Sequence, residues 1–463
     1  MSKSEKAPLT TGPVWRVLAS MSAPMSFGIF AVLSVGLADA YFLSQVSGAA
    51  LAAVGFIYPV TTAVTSLSIG LSAGANTALS QGVGRGDDDE TARRLALHAV
   101  GLGTVLAVVT AAILWISFPV LFSALGATDA AAREIAGYMP VWSFSFPFLV
   151  TMMVINAVFR AHGDSLTAPV IMVVAAVINL GLDPLLIFGM WGLPEMGTRG
   201  AAVATCAGRA TAMAIALWLA WRRGFLGVCG NPFTGVTASV RAVLSVGLPA
   251  AFSNAINPAG MALVTAAVAT VGEAAVAGFG AATRVQSLAL VPLMALSAGI
   301  GPVVGQNRGA EKYDRAREGT KLAFGFCVAY GALIALVLGI FAEPIARAFT
   351  SGGEDTGYAT LYLRFVGASL FGYGIVVVAN AAMNARDKAM WSMALSLSRI
   401  FVIYLPLAWA GALMAGFPGV VVAAILANVL GAWGGLVATR ATGLIATETP
   451  LVNAPRRFLP GQS

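Results

Sequence analysis

The chain has 463 residues, of which 58% are hydrophobic and 10% charged, with a net charge of +7, and its mean hydropathy is +0.84. An ordinary soluble domain carries roughly 25% charged residues, so this composition excludes a water-covered globular enzyme and requires lipid against much of the surface. The positive charge would suit a nucleic-acid partner, but where the basic residues fall gives a simpler account, so no nucleic acid is expected.

Apolar stretches long enough to cross a bilayer core, roughly 20 residues, recur twelve times, at 16–42, 50–82, 92–120, 133–160, 166–190, 199–222, 237–269, 276–306, 316–342, 357–385, 389–415 and 418–442. The fold class expected is therefore an all-α membrane protein of twelve transmembrane helices. The start, MSKSEKAPLTTGPVW, is polar and basic and no cleavable signal pattern follows it, so helix 1 is expected to be retained. The three cysteines (Cys206, Cys229, Cys327) are scattered, and His98 and His162 are the two histidines. No disulfide framework, metal site or histidine-based catalysis follows from these.

Of the 27 Lys and Arg residues, 20 fall in the terminal tails and even-numbered loops, 5 on the opposite side, and Arg209 and Arg399 inside helices. Basic residues mark the cytoplasmic side, so both termini are expected in the cytoplasm, with the protein in the cytoplasmic membrane.

The chain repeats itself. SMSAPMSF at 20–27 returns as SVGLPAAF at 245–252, SQGVGRGDDDETARR at 80–94 as GQNRGAEKYDRAR at 305–317, and VINAVFRAHGDS at 154–165 as VANAAMNARDK at 378–388, aligning Asn156 with Asn380. Two pseudo-symmetric six-helix lobes are expected: an N-lobe at 1–222, a cytoplasmic linker at 223–236, a C-lobe at 237–444 and a tail at 445–463. Internal repeats of this kind, with a site near the midplane, are typical of secondary transporters.

An ionisable residue at membrane depth costs roughly 2.5–3.5 kcal/mol, so each needs a reason. Asp39 lies late in helix 1 and Asp183 well inside helix 5. Asn179 shares a helix face with Asp183, and Pro184 frees a carbonyl beside it. The result is an oxygen-rich pocket suited to a proton or a small hard cation. Pro24 offers a hinge in helix 1. A purely structural role, gluing helices together, is the bland alternative; two carboxylates in one half weigh against it. The GDDDE run at 86–90 suits a helix N-terminus better than a metal motif. His162 is expected to be solvated in a loop, and Arg284 and Arg399 to snorkel. Phe27 and Met152 are candidate walls of an apolar cavity.

These segments together resemble the MATE family of multidrug and toxic compound extrusion transporters, over essentially the whole chain. The carrying segments are AP at 23–24, VGLADAYFLSQVSGAALAAVG at 35–55, SQGVGRGDDDETA at 80–92, INLGLDPLLIFG at 178–189, GAAVAT at 200–205 and GPVVGQNRGAEKYDRA at 301–316. The pattern is similar to the DinF-like branch. That resemblance implies coupling residues at Asp39, Asp183, Asn179 and Thr205, a cavity position at Asn156 and a bending proline at Pro24. The NorM-like branch also uses acidic residues in helices 7 and 10, and here the membrane portions of both lack them. The resemblance implies a drug antiporter that exports cationic amphipathic compounds or toxic metabolites, acts as a monomer, uses no cofactor and exchanges cargo for H⁺, with Na⁺ at the same oxygens as an alternative. No nucleotide-binding P-loop is present. A lipid-linked oligosaccharide flippase is the rival within the wider superfamily. It would want a basic cavity, and the helix interiors read as nearly devoid of Lys and Arg. A membrane prenyltransferase would need two Asp-rich motifs, and only one acidic cluster exists.

Overall fold

The computed structural model describes residues 7–227, 231–350 and 352–446. Cys229 in the linker and most of the tail fall outside these. Twelve spans follow in order: α1 (Val14–Val46), α2 (Gly48–Arg85), α3 (Asp89–Ala124), α4 (Asp129–Ala161), α5 (Thr167–Ile187), α6 (Gly197–Arg222), α7 (Val236–Ala269), α8a and α8b (Glu273–Ala289, Val291–Gly309), α9 (Tyr313–Phe349), α10a and α10b (Glu354–Gly367, Leu370–Ala385), α11 (Ala389–Ala415) and α12 (Phe417–Ala441). Spans 8 and 10 are broken, bending by 44° and 59°. Sequence had read both as continuous. The first break precedes Pro292, which cannot donate a backbone bond. At the second, the Ser369 hydroxyl bonds the Val366 carbonyl at 2.8 Å, satisfying a backbone group that the ladder releases.

Helix starts follow local chemistry. Ser47 caps α2 through the Ala50 N–H (3.0 Å), Asp88 caps α3 through the Thr91 N–H (2.7 Å), and Thr128 caps α4 through Ala131. Each oxygen satisfies an orphan donor of the first turn. The acidic run at 86–90 is thus a cap, as its position suggested, and Gly86 closes α2 in the left-handed conformation that glycine tolerates. His162 is not solvated as expected. It ends α4, stacks on Phe225 at 4.2 Å and directs Nδ1 at the Val158 carbonyl; burial lowers its pKa. His98 bridges to Ser239 and the Pro232 carbonyl, tying the linker to α3.

The loop after α4 is fastened by Asp164. Burial alone would raise this carboxyl's pKa. Hydrogen bonds from Thr167 Oγ1 (2.5 Å), Thr167 N (3.0 Å) and Leu166 N (3.1 Å), with the Arg223 ion pair, outweigh that and hold it below the usual range. A depressed carboxyl adds stability above its unfolded pKa and loses it as pH falls through the folded value. Asp164→Ala is therefore expected to lower stability near neutral pH by about 1 kcal/mol, the cost of a lost cap. Melting of the detergent-solubilised protein should show this, with the deficit shrinking below the carboxylate range.

One apolar cluster fills the N-lobe (Leu71, Phe146, Ile155 and neighbours) and a second fills the C-lobe (Phe279, Val420 and neighbours). The lobes meet along α2 and α7 and along α2 and α8b, where glycines bring backbones together. A Cβ on Gly74 would lie 2.2 Å from the Val243 carbonyl, and one on Gly84 would lie 2.1 Å from that of Gln306. Helix α1 changes partners along its length. Leu18 and Met21 pack into the C-lobe side with α8b, whereas Leu43 packs with Ile187 and Ala201 of the N-lobe. Pro24 lies within that changeover, beside Met25, which packs against both Ala168 of α5 and Ala295 of α8b.

Candidate functional site

Within the N-lobe, α1, α5 and α6 bring together the residues singled out in sequence. Asp183 is 0% exposed and Asn179 3%; Asp39 and Thr205 are partly exposed. The Asp39 and Asp183 carboxyls are within hydrogen-bond contact of each other. The Asn179 amide satisfies both its neighbours when its nitrogen donates to Asp183 Oδ2 (3.0 Å) and its oxygen accepts from Thr205 Oγ1 (3.1 Å) and Thr205 N (3.0 Å). One oxygen of each carboxyl, Asp39 Oδ1 and Asp183 Oδ1, is enclosed without a partner.

Sequence reading missed two members. The Arg209 guanidinium bonds Ser145 Oγ at 2.8 Å, lies 5.2 Å over the Trp142 ring and is within electrostatic reach of Asp39. Tyr138 faces Asp39, Asp183 and Arg209. The signal for Arg209 was available: it follows Thr205 by four residues, hence shares its helix face. Among the described residues no group of three His, Cys, Asp or Glu side chains could hold a metal.

The cavity candidates divide. Asn156 is 2% exposed with an unpartnered amide oxygen, Met152 is 6% exposed and packed in the N-lobe core, and Phe27 is 73% exposed on α1. Pro24 lies inside an unbroken α1.

The C-lobe overturns the reading of Arg399 as a snorkelling residue. Helix α11 widens into a π-helix at Ser398–Tyr404, a feature frequent at functional sites, and Arg399 turns inward to 7% exposure. Its Nη2 donates to Asn428 Oδ1 (2.9 Å) and Nη1 to Asn257 Oδ1 (3.4 Å), while the guanidinium lies 4.9 Å over the Tyr373 ring. The helix interiors are therefore not as empty of basic residues as sequence suggested.

The two lobes are latched at the end of the bundle that carries most of the basic residues. Gln81 Nε2 donates to the Ala385 carbonyl (2.9 Å), and Gln306 Nε2 to the Ala161 carbonyl (2.8 Å). The two glutamines are counterparts in the repeat, and so are their acceptors. Leu9 N donates to Gln306 Oε1 (3.0 Å), Asn307 Nδ2 to the Leu9 carbonyl (3.1 Å), and Lys312 Nζ to the Thr10 carbonyl (3.0 Å). Among the described residues, every hydrogen bond between the lobes lies at this end.

A model of the MatE family matches residues 24–185 and again 249–410, more than half of the chain. The chain belongs to the MatE family. Both ends of the two matches differ by 225 residues, within one residue of the repeat that aligns Asn156 with Asn380. The chain is 34% identical over 424 residues to an FAD transporter of Shewanella oneidensis, covering 91% of this chain and 93% of that one. It is 28% identical to a probable multidrug resistance protein NorM of Thermotoga maritima, over 87% of this chain and 84% of that one. Among solved structures it resembles an aspartate-to-asparagine mutant of the Vibrio cholerae MATE transporter VcmN, with TM-score 0.87 and 27% identity over 96% of this chain and 99% of that one. This MATE chain is thus a multi-pass membrane transporter of twelve helices in two lobes.

Proposed function

We propose that this MATE transporter exports its cargo in exchange for protons by alternating access. The observation that carries the reading is the contact between Asp39 and Asp183. Two carboxyls in contact cannot both stay ionised, because like charges repel and burial penalises charge, so they share a proton. With Arg209 alongside, the cluster is neutral with one proton held and carries one negative charge with none. A cationic amphipathic compound is attracted to the second state and released by the first, so proton entry from outside expels it. The lobe contacts at the basic end, which the bias of Lys and Arg assigns to the cytoplasm, suit a state closed inward and open outward. The change of partners along α1 near Pro24 supports a hinge there.

Asp39, Asp183, Asn179 and Thr205 also offer oxygens to Na⁺. A second reading of the cargo, a phosphate-bearing flavin nucleotide, is favoured by the relative named as an FAD transporter and by the buried Arg399. The test is transport in proteoliposomes at clamped membrane potential, with ethidium or FAD as cargo and either a pH or a Na⁺ gradient imposed. Transport following pH supports the proposal. Transport following Na⁺ alone moves these residues to a sodium site, and transport of neither cargo turns attention to a lipid-linked oligosaccharide.

A further inference from the structure

We propose that Arg399 is the centre of an anion-binding subsite in the C-lobe that takes the phosphate group of a phosphorylated cargo. The inference rests on the transporter reading above, and deepens it on the side of the cargo rather than of the coupling ion.

An arginine stays ionised in proteins and carries five N–H donors. Buried charges are ordinarily paired. Both oxygens that Arg399 meets, on Asn257 and Asn428, belong to neutral amides. Its Nε is enclosed with no partner, while the Tyr404 hydroxyl on the same π-helix meets that of Tyr362. The ionisable groups within electrostatic reach of Arg399 are tyrosines, and among the described residues no ion pair includes it. A full positive charge and an unused guanidinium donor therefore wait in one place for an acceptor bearing negative charge. Phosphate fits the planar guanidinium fork. Asn257 and Tyr373, both partly exposed, give access.

The comparison of lobes sharpens the point. In the 225-residue register of the first repeat segments Asp39 corresponds to the buried Val264, and in the 224-residue register that aligns Asn156 with Asn380, Asp183 corresponds to Leu407. The place that holds two carboxyls in the N-lobe holds aliphatic residues in the C-lobe, one π-helix away from an arginine. Arg209 has Asp39 as its counter-charge, and Arg399 has none. The molecule thus presents an acidic cluster in one lobe and a basic one in the other, suiting cargo with an anionic group.

Asn428 also donates to Ser369 at the α10 break (2.8 Å), so the cluster knits α7, α10, α11 and α12, and a structural role must be told apart. The experiment measures equilibrium binding of FAD and of riboflavin, which shares the flavin ring and lacks phosphate, to the purified full chain. Wild type is expected to bind FAD more tightly than riboflavin, and inorganic pyrophosphate should displace FAD only. Arg399→Gln should weaken FAD at least tenfold and leave riboflavin unchanged, with Arg399→Lys intermediate. A structural role would weaken both flavins alike, and that result overturns the proposal. So would equal affinity of wild type for the two flavins, or indifference of FAD binding to pyrophosphate, tests that stand even if Arg399→Gln fails to fold. Loss of pH-driven transport in carboxyl variants that still discriminate FAD from riboflavin would separate failure of the coupling site from failure of this subsite.

Discussion

Asp39→Asn is expected to abolish pH-driven accumulation of cargo while leaving a folded protein in the membrane. The amide keeps the shape of the carboxyl and can still hydrogen-bond to Asp183, so the packing of α1 against α5 survives. What is lost is the second titrating group. A lone Asp183, bonded by Asn179 (3.0 Å) and balanced by Arg209, has no like charge beside it to make it take up a proton, so it stays ionised through the cycle. If one proton is exchanged per cargo molecule, a gradient of one pH unit supports about a tenfold cargo gradient, because about 1.4 kcal/mol is a factor of ten. The variant should reach a ratio near one, and Asp183→Asn should behave likewise. The check is the steady-state cargo ratio in proteoliposomes at fixed potential, with melting temperature as the control for folding. A variant holding the tenfold ratio would remove these carboxyls from the coupling mechanism.

Much of this architecture is legible in the sequence because lipid imposes it. Of the twelve apolar stretches ten became single helices, most with bounds within a few residues of the edges read (237–269 became Val236–Ala269, 389–415 became Ala389–Ala415), since a bilayer leaves backbone groups few alternatives to a helix. Asp39 and Asp183 were legible for the same reason: a carboxylate stands out against an apolar run. The bend at Leu290 carried a sign in Pro292, whereas the break before Ser369 had none, because a side chain supplies what the backbone gives up there. Arg399 was misread because a lone arginine in an apolar helix normally stretches its head toward water. Its inward turn depends on the π-helix and on Asn428, Asn257 and Tyr373, contributed by three other helices, so no local pattern encodes it. The glutamine latches belong to the same class. Gln81 and Gln306 were visible as matching letters in the repeat, but their partners Ala385 and Ala161 are backbone carbonyls, to which sequence gives no distinguishing mark.

Gly309→Ala is expected to force open the latched end of the bundle. An added Cβ would lie 2.1 Å from the Gln81 carbonyl oxygen and 3.0 Å from Arg85 N. These are backbone atoms of the facing lobe and cannot rotate away, so α2 and α8b must separate. Gly84 is the counterpart of Gly309 in the repeat, and its Cβ would meet the Gln306 carbonyl at the same 2.1 Å. Separation strains the bonds of Gln81 to Ala385 and of Gln306 to Ala161 that lie beside the glycines. Overpacking of this kind costs about 1–3 kcal/mol, which in a two-state equilibrium is about a 5- to 150-fold shift in population. The penalty falls on the conformation closed at this end, so the opposite conformation gains by that factor. Thr77 offers a reporter, since it is 2% exposed and bonds the Asn384 carbonyl across the lobes at 3.2 Å. In a chain without Cys206, Cys229 and Cys327, Thr77→Cys should react slowly with a bulky maleimide, and adding Gly309→Ala or Gly84→Ala should raise the rate toward that range. Cargo transport should fall in the same variants, because a transporter biased to one state cycles slowly. Unchanged labelling in both glycine variants would mean that the contact yields without parting the lobes, and that the latch does not set the resting conformation.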